Sequence, residues 1–189
     1  MKNLIQSFIN ENSNDMLMRA KKLPKEILFL SGSFNPFHHG HEGLLKAAEK
    51  LCKRSGILEL SVINVDKPRL TAEIIQERLK NIPKEYPVLL TKKSTFIEKV
   101  ELYPEAYFAI GYDTAIRLFD EKYHKDVNLI FERYLELNTK FIVGGRLYKN
   151  KFLSLENIKI PKRYEKLFIN IPKHLFRKDI SSTQLRNID

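Results

Sequence analysis

Short apolar runs alternate along this chain with longer stretches whose apolar residues recur every three or four positions. The runs at 26–31, 57–64, 88–90, 106–110, 140–143 and 167–171 are rich in aliphatic, β-branched or aromatic residues and read as strands. The stretches between them read as helices: one leading to about Arg54, then 72–82 with Thr71 as its N-cap, 94–103, the segment after Gly111-Tyr112-Asp113-Thr114, and 126–137. Strands and helices alternate throughout, which is the pattern of an α/β chain with a parallel sheet covered on both faces. Residues 2–22 carry Leu4, Ile5, Phe8, Ile9, Met16, Leu17 and Met18 and read as one amphipathic helix or two short ones, an extension packed on the outside of the sheet. The expected organisation is one domain over 1–189, with a helical extension at 1–24 and an α/β core at 25–189. The stretch 144–162 has the weakest pattern and reads as a loop able to move over a site. The chain closes on 179–186, a capped helix start.

A length of 189 residues at 43% hydrophobic composition suits one packed domain and is short for two. A single cysteine, Cys52, excludes an internal disulfide and a cysteine-based zinc site, and reads as a small buried thiol. No signal-peptide pattern and no run of ~20 apolar residues occurs, so a cytoplasmic protein without a membrane partner is expected. The net charge of +10 is scattered in pairs such as Lys21-Lys22 and Lys92-Lys93. It is compatible with nucleic acid or with small polyanions, and alone does not choose between them.

The chemistry concentrates at Ser31-Gly32-Ser33-Phe34-Asn35-Pro36-Phe37-His38-His39-Gly40-His41, which joins the first core strand to a helix. Three of the five histidines of the chain lie there. A helix N-terminus collects unpaired N–H groups and the positive end of a dipole, so it favours phosphate. His38 and His41, three residues apart across the turn, can both donate to one anion. The loop lacks the Gly-x-x-x-x-Gly-Lys pattern of a P-loop, the Gly-x-Gly-x-x-Gly dinucleotide fingerprint and a nucleophile elbow. A metal held by His38, His39 and His41 is disfavoured, because adjacent side chains point apart and only Glu42 stands near. Ligands of open α/β sheets sit beyond the strand carboxyl ends, where the strand order reverses. Both the histidine loop and Gly111-Tyr112-Asp113 leave strands at such ends, so their strands are expected to be neighbours. Near the C-terminus, Ser181, Ser182 and Thr183 bring hydroxyls to a helix start with Arg186 one turn on, a set suited to a polyphosphate.

Gly32-Ser33-Phe34-Asn35-Pro36-Phe37-His38-His39-Gly40-His41 resembles the G-x-F-[DN]-P-x-H-x-G-H signature of the nucleotidylyltransferase superfamily, and Ile180-Ser181-Ser182-Thr183-Gln184-Leu185-Arg186 resembles its second signature, I-S-S-T-x-x-R. Within that superfamily, Asn35 and Gly111-x-Asp113 are similar to nicotinamide or nicotinate mononucleotide adenylyltransferases. The resemblance implies a Rossmann-like doubly wound parallel sheet of nucleotidylyltransferase type. It also implies transfer of an adenylyl group from ATP to the phosphate of a mononucleotide, with pyrophosphate released and Mg²⁺ carried by the triphosphate rather than by a protein metal site. A nicotinamide or nicotinate mononucleotide is the leading acceptor. Another phosphate acceptor, CTP in place of ATP, or a non-catalytic nucleotide or RNA binder are the alternatives; nucleic acid is the less favoured partner, and a homo-oligomer is compatible with the sequence.

On this resemblance His38, His41 and Arg186 are the catalytic candidates. Gly32, Ser33, Phe34, Gly40, Gly111, Asp113, Arg146, Ile180, Ser181, Ser182 and Thr183 join them as nucleotide-binding candidates. Asn35, Lys67 and Tyr112 are assigned to the acceptor, with Arg69 a rival for the role of Lys67. Relatives that stack a pyridine ring on Trp have no counterpart here, because the chain has no Trp. Tyr112, Phe119, Tyr123 or Phe131 would have to serve instead.

Overall fold

In a computed structural model of the chain, residues 1–63, 68–120, 126–148 and 150–177 are described. The order of elements is α1 (Lys2–Asn10), β1 (Asp15–Met18), β2 (Ile27–Ser31), α2 (His39–Cys52), β3 (Ser55–Ser61), α3 (Ala72–Lys80), β4 (Val88–Thr91), α4 (Phe96–Leu102), β5 (Tyr107–Gly111), α5 (Tyr112–Arg117), α6 (Val127–Glu136), β6 (Lys140–Gly144), β7 (Arg146–Tyr148), β8 (Lys151–Leu153) and β9 (Phe168–Ile171). One sheet has the order β1-β4-β3-β2-β5-β6-β9. From β4 to β9 all neighbours are parallel. After the edge strand β1, the chain enters the middle of the sheet at β2, winds outward through β3 to β4, returns to β5 and winds outward again to β9. This is a doubly wound, Rossmann-like α/β fold, with its switch point between β2 and β5 as expected.

Alternation along each strand sorts the core into two unlike layers. Leu28, Leu30, Leu58, Leu60, Val88 and Leu90 face α1, α2 and α3 in an aliphatic layer. Phe29, Phe108, Phe141 and Phe168 face the other way and pack with Phe131 and Tyr134 of α6 in an aromatic one. Tyr134 is fully buried there, and burial pushes its phenol well up. Its hydroxyl meets no hydrogen-bond partner among the described residues. A buried hydroxyl without a partner costs free energy that an apolar ring avoids. Tyr134→Phe is therefore expected to stabilise the protein by about 1 kcal/mol, read as a higher urea midpoint at unchanged slope. A lower midpoint would show that the hydroxyl is in fact satisfied.

The N-terminal segment is helical only in its first half. Ile5 and Phe8 of α1 are buried, and Lys2 pairs with Glu73 of α3 at 2.7 Å. Met16, Leu17 and Met18 are a strand, not a second helix: Asp15–Met18 pair antiparallel with Val88–Thr91. Three apolar residues are too few to distinguish a helix turn from a strand, and the open edge of β4 decides the matter. Arg19 follows the strand with φ 63° and donates to the carbonyls of Leu79, Ile82 and Pro83 at 2.6, 3.1 and 2.9 Å, capping α3. The weakly patterned 144–162 also differs from expectation. It holds the antiparallel hairpin β7–β8 and two 3₁₀ turns, at Leu155–Asn157 and Lys162–Leu167. No helix among the described residues is long and apolar enough to cross a membrane.

Candidate active site

The histidine loop begins where β2 ends, at the carboxyl edge of the sheet. The Gly32 amide donates to the Glu59 carbonyl of β3 at 3.0 Å, which prolongs the ladder by one bond. Gly32 must be glycine, because a Cβ there would lie 2.7 Å from the Phe34 ring. That ring is fully buried, and Phe34 has φ 43°, a left-handed conformation unfavourable for a bulky residue. The peptide bond Asn35–Pro36 is cis. From α3, Arg78 donates to the Ser33 carbonyl at 3.1 Å, so the loop is tied on a second side. The Ser33 and Asn35 side chains stay exposed.

His38 is the N-cap of α2 and His41 is its third residue, and they cap each other. The Gly40 amide donates to Nδ1 of His38 at 3.1 Å, and the His38 amide donates to Nδ1 of His41 at 3.2 Å. This is a capping box with imidazoles in the places usually held by a hydroxyl and a carboxylate. Each Nδ1 acts as an acceptor and so carries no proton; the neutral rings hold theirs on Nε2. The rings stack at 3.8 Å between centroids. Phe34 and Phe37 brace His41 at 5.2 and 5.5 Å, Phe37 leans on Tyr86 at 5.6 Å, and the Tyr86 hydroxyl donates to Glu42 at 2.9 Å. Hydrogen bonds from Lys46 and from Tyr86 hold the Glu42 carboxyl below the usual range, so the first turn of α2 carries a carboxylate bonded on its flank. His39 is exposed, and Gly40 is buried in the helix start.

Across the switch point, β5 ends at Gly111, which pairs in register with Gly144 of β6. A Cβ at Gly111 would meet nothing within 4 Å, so the sheet edge there opens on space. Tyr112 and Asp113 form the first turn of α5, Tyr112 partly exposed. The Asp113 carboxylate accepts a hydrogen bond from the Arg146 guanidinium, which opens the hairpin β7–β8. Arg146 also lies 5.7 Å from the Tyr148 ring. Asp113 and Arg146, two of the nucleotide-binding candidates, are thus in contact with each other. Of the aromatic residues able to replace a Trp, Phe131 is buried in the core and Phe119 packs against it with ring centroids 4.7 Å apart. Tyr112 has the exposure such a contact requires. Arg69 donates to the Ile9 carbonyl, tying α1 to the segment that leads into α3. Lys67, Tyr123, Ile180, Ser181, Ser182, Thr183 and Arg186 lie outside the described residues.

Beneath the loop is a polar group that the sequence reading passes over. Glu59, fully buried on β3, pairs with Lys99 of α4 at 2.8 Å, accepts from Ser61 at 2.9 Å and accepts from Thr91. The Ser61 hydroxyl also lies 2.8 Å from the Lys93 carbonyl, so its one proton is shared between two acceptors. Burial pushes the Glu59 carboxyl up, but the Lys99 ammonium and the Thr91 hydroxyl help hold it below its usual value. Its backbone is the acceptor for Gly32, so the network and the histidine loop share one strand. The signal available in the sequence is a lone carboxylate in the apolar run Ile57-Leu58-Glu59-Leu60. Among the described residues, no three His, Cys, Asp or Glu side chains come together as a metal-binding group.

The model of the cytidylyltransferase-like family matches residues 29–188. A Schizosaccharomyces pombe protein described as "Putative nicotinamide mononucleotide adenylyltransferase" is 32% identical over 138 residues, covering 66% of this chain and 55% of that protein. The chain thus spans little more than half the length of this relative. Two solved structures of Plasmodium falciparum nicotinic acid mononucleotide adenylyltransferase, complexed with APC and with NaAD, match 87% of this chain and 83% of theirs, at 21% and 20% identity and TM-scores of 0.46 and 0.44. That likeness is too distant to carry residue roles. The family match runs through β2, the histidine caps and the Gly111 turn, and the chain belongs to the cytidylyltransferase-like family, within the nucleotidylyltransferase superfamily.

Proposed function

We propose that the chain transfers an adenylyl group from ATP to the phosphate of a mononucleotide, with nicotinamide or nicotinate mononucleotide as acceptor. An oxygen of the acceptor phosphate attacks the α-phosphorus in line, the bond to the β-phosphate oxygen breaks, and pyrophosphate leaves. The acceptor is already ionised, so no protein nucleophile or base is needed; positioning and charge stabilisation carry the rate. The observation that supports this reading best is the pair of mutually capped imidazoles. Both rings commit Nδ1 to the backbone and carry their proton on Nε2, beside a helix N-terminus.

In this reading His41 and the Phe34 backbone hold the α-phosphate, and His38 contacts the triphosphate. Gly32, Ser33 and Gly40 let the backbone approach it. Ser181, Ser182, Thr183 and Arg186, with Ile180 leading in, grip the phosphates that leave. Gly111 admits the ribose, Asp113 accepts from a hydroxyl, and Arg146 orients Asp113 or meets the nucleotide. Asn35, Lys67 and Tyr112 meet the acceptor. Mg²⁺ arrives on the triphosphate as part of the substrate.

The test is pyrophosphate release by purified protein with Mg²⁺, ATP or CTP each being offered with nicotinamide mononucleotide, nicotinate mononucleotide, phosphopantetheine, flavin mononucleotide and a polyol phosphate. Release with ATP and a pyridine mononucleotide is the expected result. Release with a different pair keeps the chemistry and moves the substrate. Silence across the panel while ATP still binds overturns the catalytic reading.

A further inference from the structure

The His41 imidazole runs nearly parallel to two other rings, that of His38 at 3.8 Å and 28° and that of Phe37 at 5.5 Å and 22°. Those neighbours belong to the histidine loop, but what backs Phe37 does not. Tyr86 lies in the segment between α3 and β4, 44 residues from Glu42 in sequence. Its ring is 5.6 Å from that of Phe37, and its hydroxyl donates to Oε1 of Glu42 at 2.9 Å. The contacts close a circuit: His41 to Phe37, Phe37 to Tyr86, Tyr86 to Glu42, and Glu42 along one peptide bond to His41 again. Oε1 of Glu42 also accepts from Lys46, one turn on, at 2.5 Å. Burial and the Glu42 carboxylate push the Tyr86 phenol up, while hydrogen bonds from Lys46 and Tyr86 hold the Glu42 carboxyl down. The proton therefore stays on the phenol, and the bond is a charge-assisted one.

The remote end of the circuit is anchored. Ile82 is buried, and Arg19 donates to the carbonyls of Ile82 and Pro83 at 3.1 and 2.9 Å. The Tyr86 amide donates to the Pro83 carbonyl at 3.2 Å, and the Pro87 carbonyl accepts from the Leu58 amide of β3 at 3.1 Å. Tyr86 is thus held between the end of α3 and the sheet.

We infer that Tyr86 is a positioning residue: through Phe37 and Glu42 it fixes the plane of the His41 imidazole, and so the direction in which Nε2–H points. The bond from the His38 amide to Nδ1 by itself lets the ring swing about that line. A second ring packed almost flat against it, and backed in turn by an anchored one, takes that freedom away before any ligand arrives. A donor misdirected by about 1 Å can cost on the order of 10²-fold in rate. The inference rests on the proposed role of His41 in holding the α-phosphate.

The experiment compares the unaltered protein with Tyr86→Leu and Tyr86→Phe, by steady-state kinetics and by nitrogen NMR of the imidazoles at a pH where they are neutral. Thermal melting establishes that each is folded. The chain has five histidines, so loss of a signal in His41→Asn assigns that of His41. In the unaltered protein the two nitrogens of His41 are expected to be well separated, as one tautomer with its proton on Nε2 requires. In Tyr86→Leu they are expected to draw together as the ring moves and tautomers mix. The kcat of that variant is expected to fall roughly tenfold or more, with the KM for ATP within about threefold. Tyr86→Phe, which keeps the ring against Phe37, recovers most of both. Added to His41→Asn, Tyr86→Leu is expected to cost little further turnover, because it acts through the ring already removed. If Tyr86→Leu does not fold, Phe37→Leu, which removes the link between Tyr86 and His41, is read in its place with the same expectations. Unchanged nitrogen signals and kcat overturn the inference, and so does an equal fractional loss of kcat with and without the His41 ring. Absence of turnover in the unaltered protein overturns the proposed reaction instead, and the nitrogen signals alone then decide whether Tyr86 holds the ring.

Discussion

Replacing His41 with asparagine is expected to lower turnover by about 10²–10³-fold, the usual cost of one lost transition-state donor, with the KM for ATP changed far less. The choice of substituent follows from the double duty of the ring. Nδ1 of His41 accepts from the His38 amide, and Nε2 carries the proton proposed for the α-phosphate. An asparagine oxygen can stand near the place of Nδ1 and keep the cap, while the Nε2 donor is removed. His41→Gln does the reverse, because its amide nitrogen reaches the place of Nε2. The asparagine variant should therefore be the more stable and the less active of the two. His41→Ala removes both functions, and loss of a cap costs about 1 kcal/mol in addition. Steady-state rates and melting curves of the three variants separate the roles. Turnover of His41→Asn within about threefold of the unaltered protein would remove His41 from the transition state.

The second large effect concerns stability. Lys99→Met is expected to destabilise the protein by about 3–5 kcal/mol, because it leaves the Glu59 carboxylate buried without its cation. For a chain of this size that corresponds to a fall in Tm of about 6–20 °C. The pH dependence has a definite sign. The Glu59 carboxyl is held below its usual value, so the native state favours the charged form. The stability this contributes is fully present above the unfolded carboxyl value of about 4.3 and is lost as pH falls through the lower native value. In Lys99→Met the charged carboxyl is the liability, and acid relieves it. The gap in Tm between the two proteins should therefore narrow on acidification. A shift under about 2 °C at neutral pH would mean that water or another donor replaces the ammonium.

The strand order around the crevice is legible in the sequence because six short apolar runs separated by helical stretches admit few doubly wound arrangements, and two glycine-bearing turns leave strand ends. The histidine loop is legible because three imidazoles in four residues stand at a strand-to-helix junction. That His38 and His41 cap one another is not legible, since capping boxes are read from hydroxyls and carboxylates. The Asp113–Arg146 pair joins residues 33 apart in sequence and exists only because β5 and β6 lie side by side. The hairpin Arg146–Leu153 escapes periodicity for a related reason: its strands are three residues each, and their seat is the packing of Phe152 on Gly145. Glu59 announces itself as a charge in an apolar strand, but Lys99, 40 residues on, is indistinguishable in the sequence from a solvated helix lysine.

The edge strand β1 has a consequence for how the molecule behaves in company. All four residues of β4, Val88-Leu89-Leu90-Thr91, are buried, and among the described residues the outer edge of β4 is paired by Asp15–Met18. Short, apolar and free of proline, β4 would be a ready template for strand addition if that partner were missing. Trimming the first twenty residues would therefore do more than remove a helix. It would uncover an apolar strand edge open to pairing with a second copy of the chain, however well the crevice at the carboxyl ends of the strands were preserved.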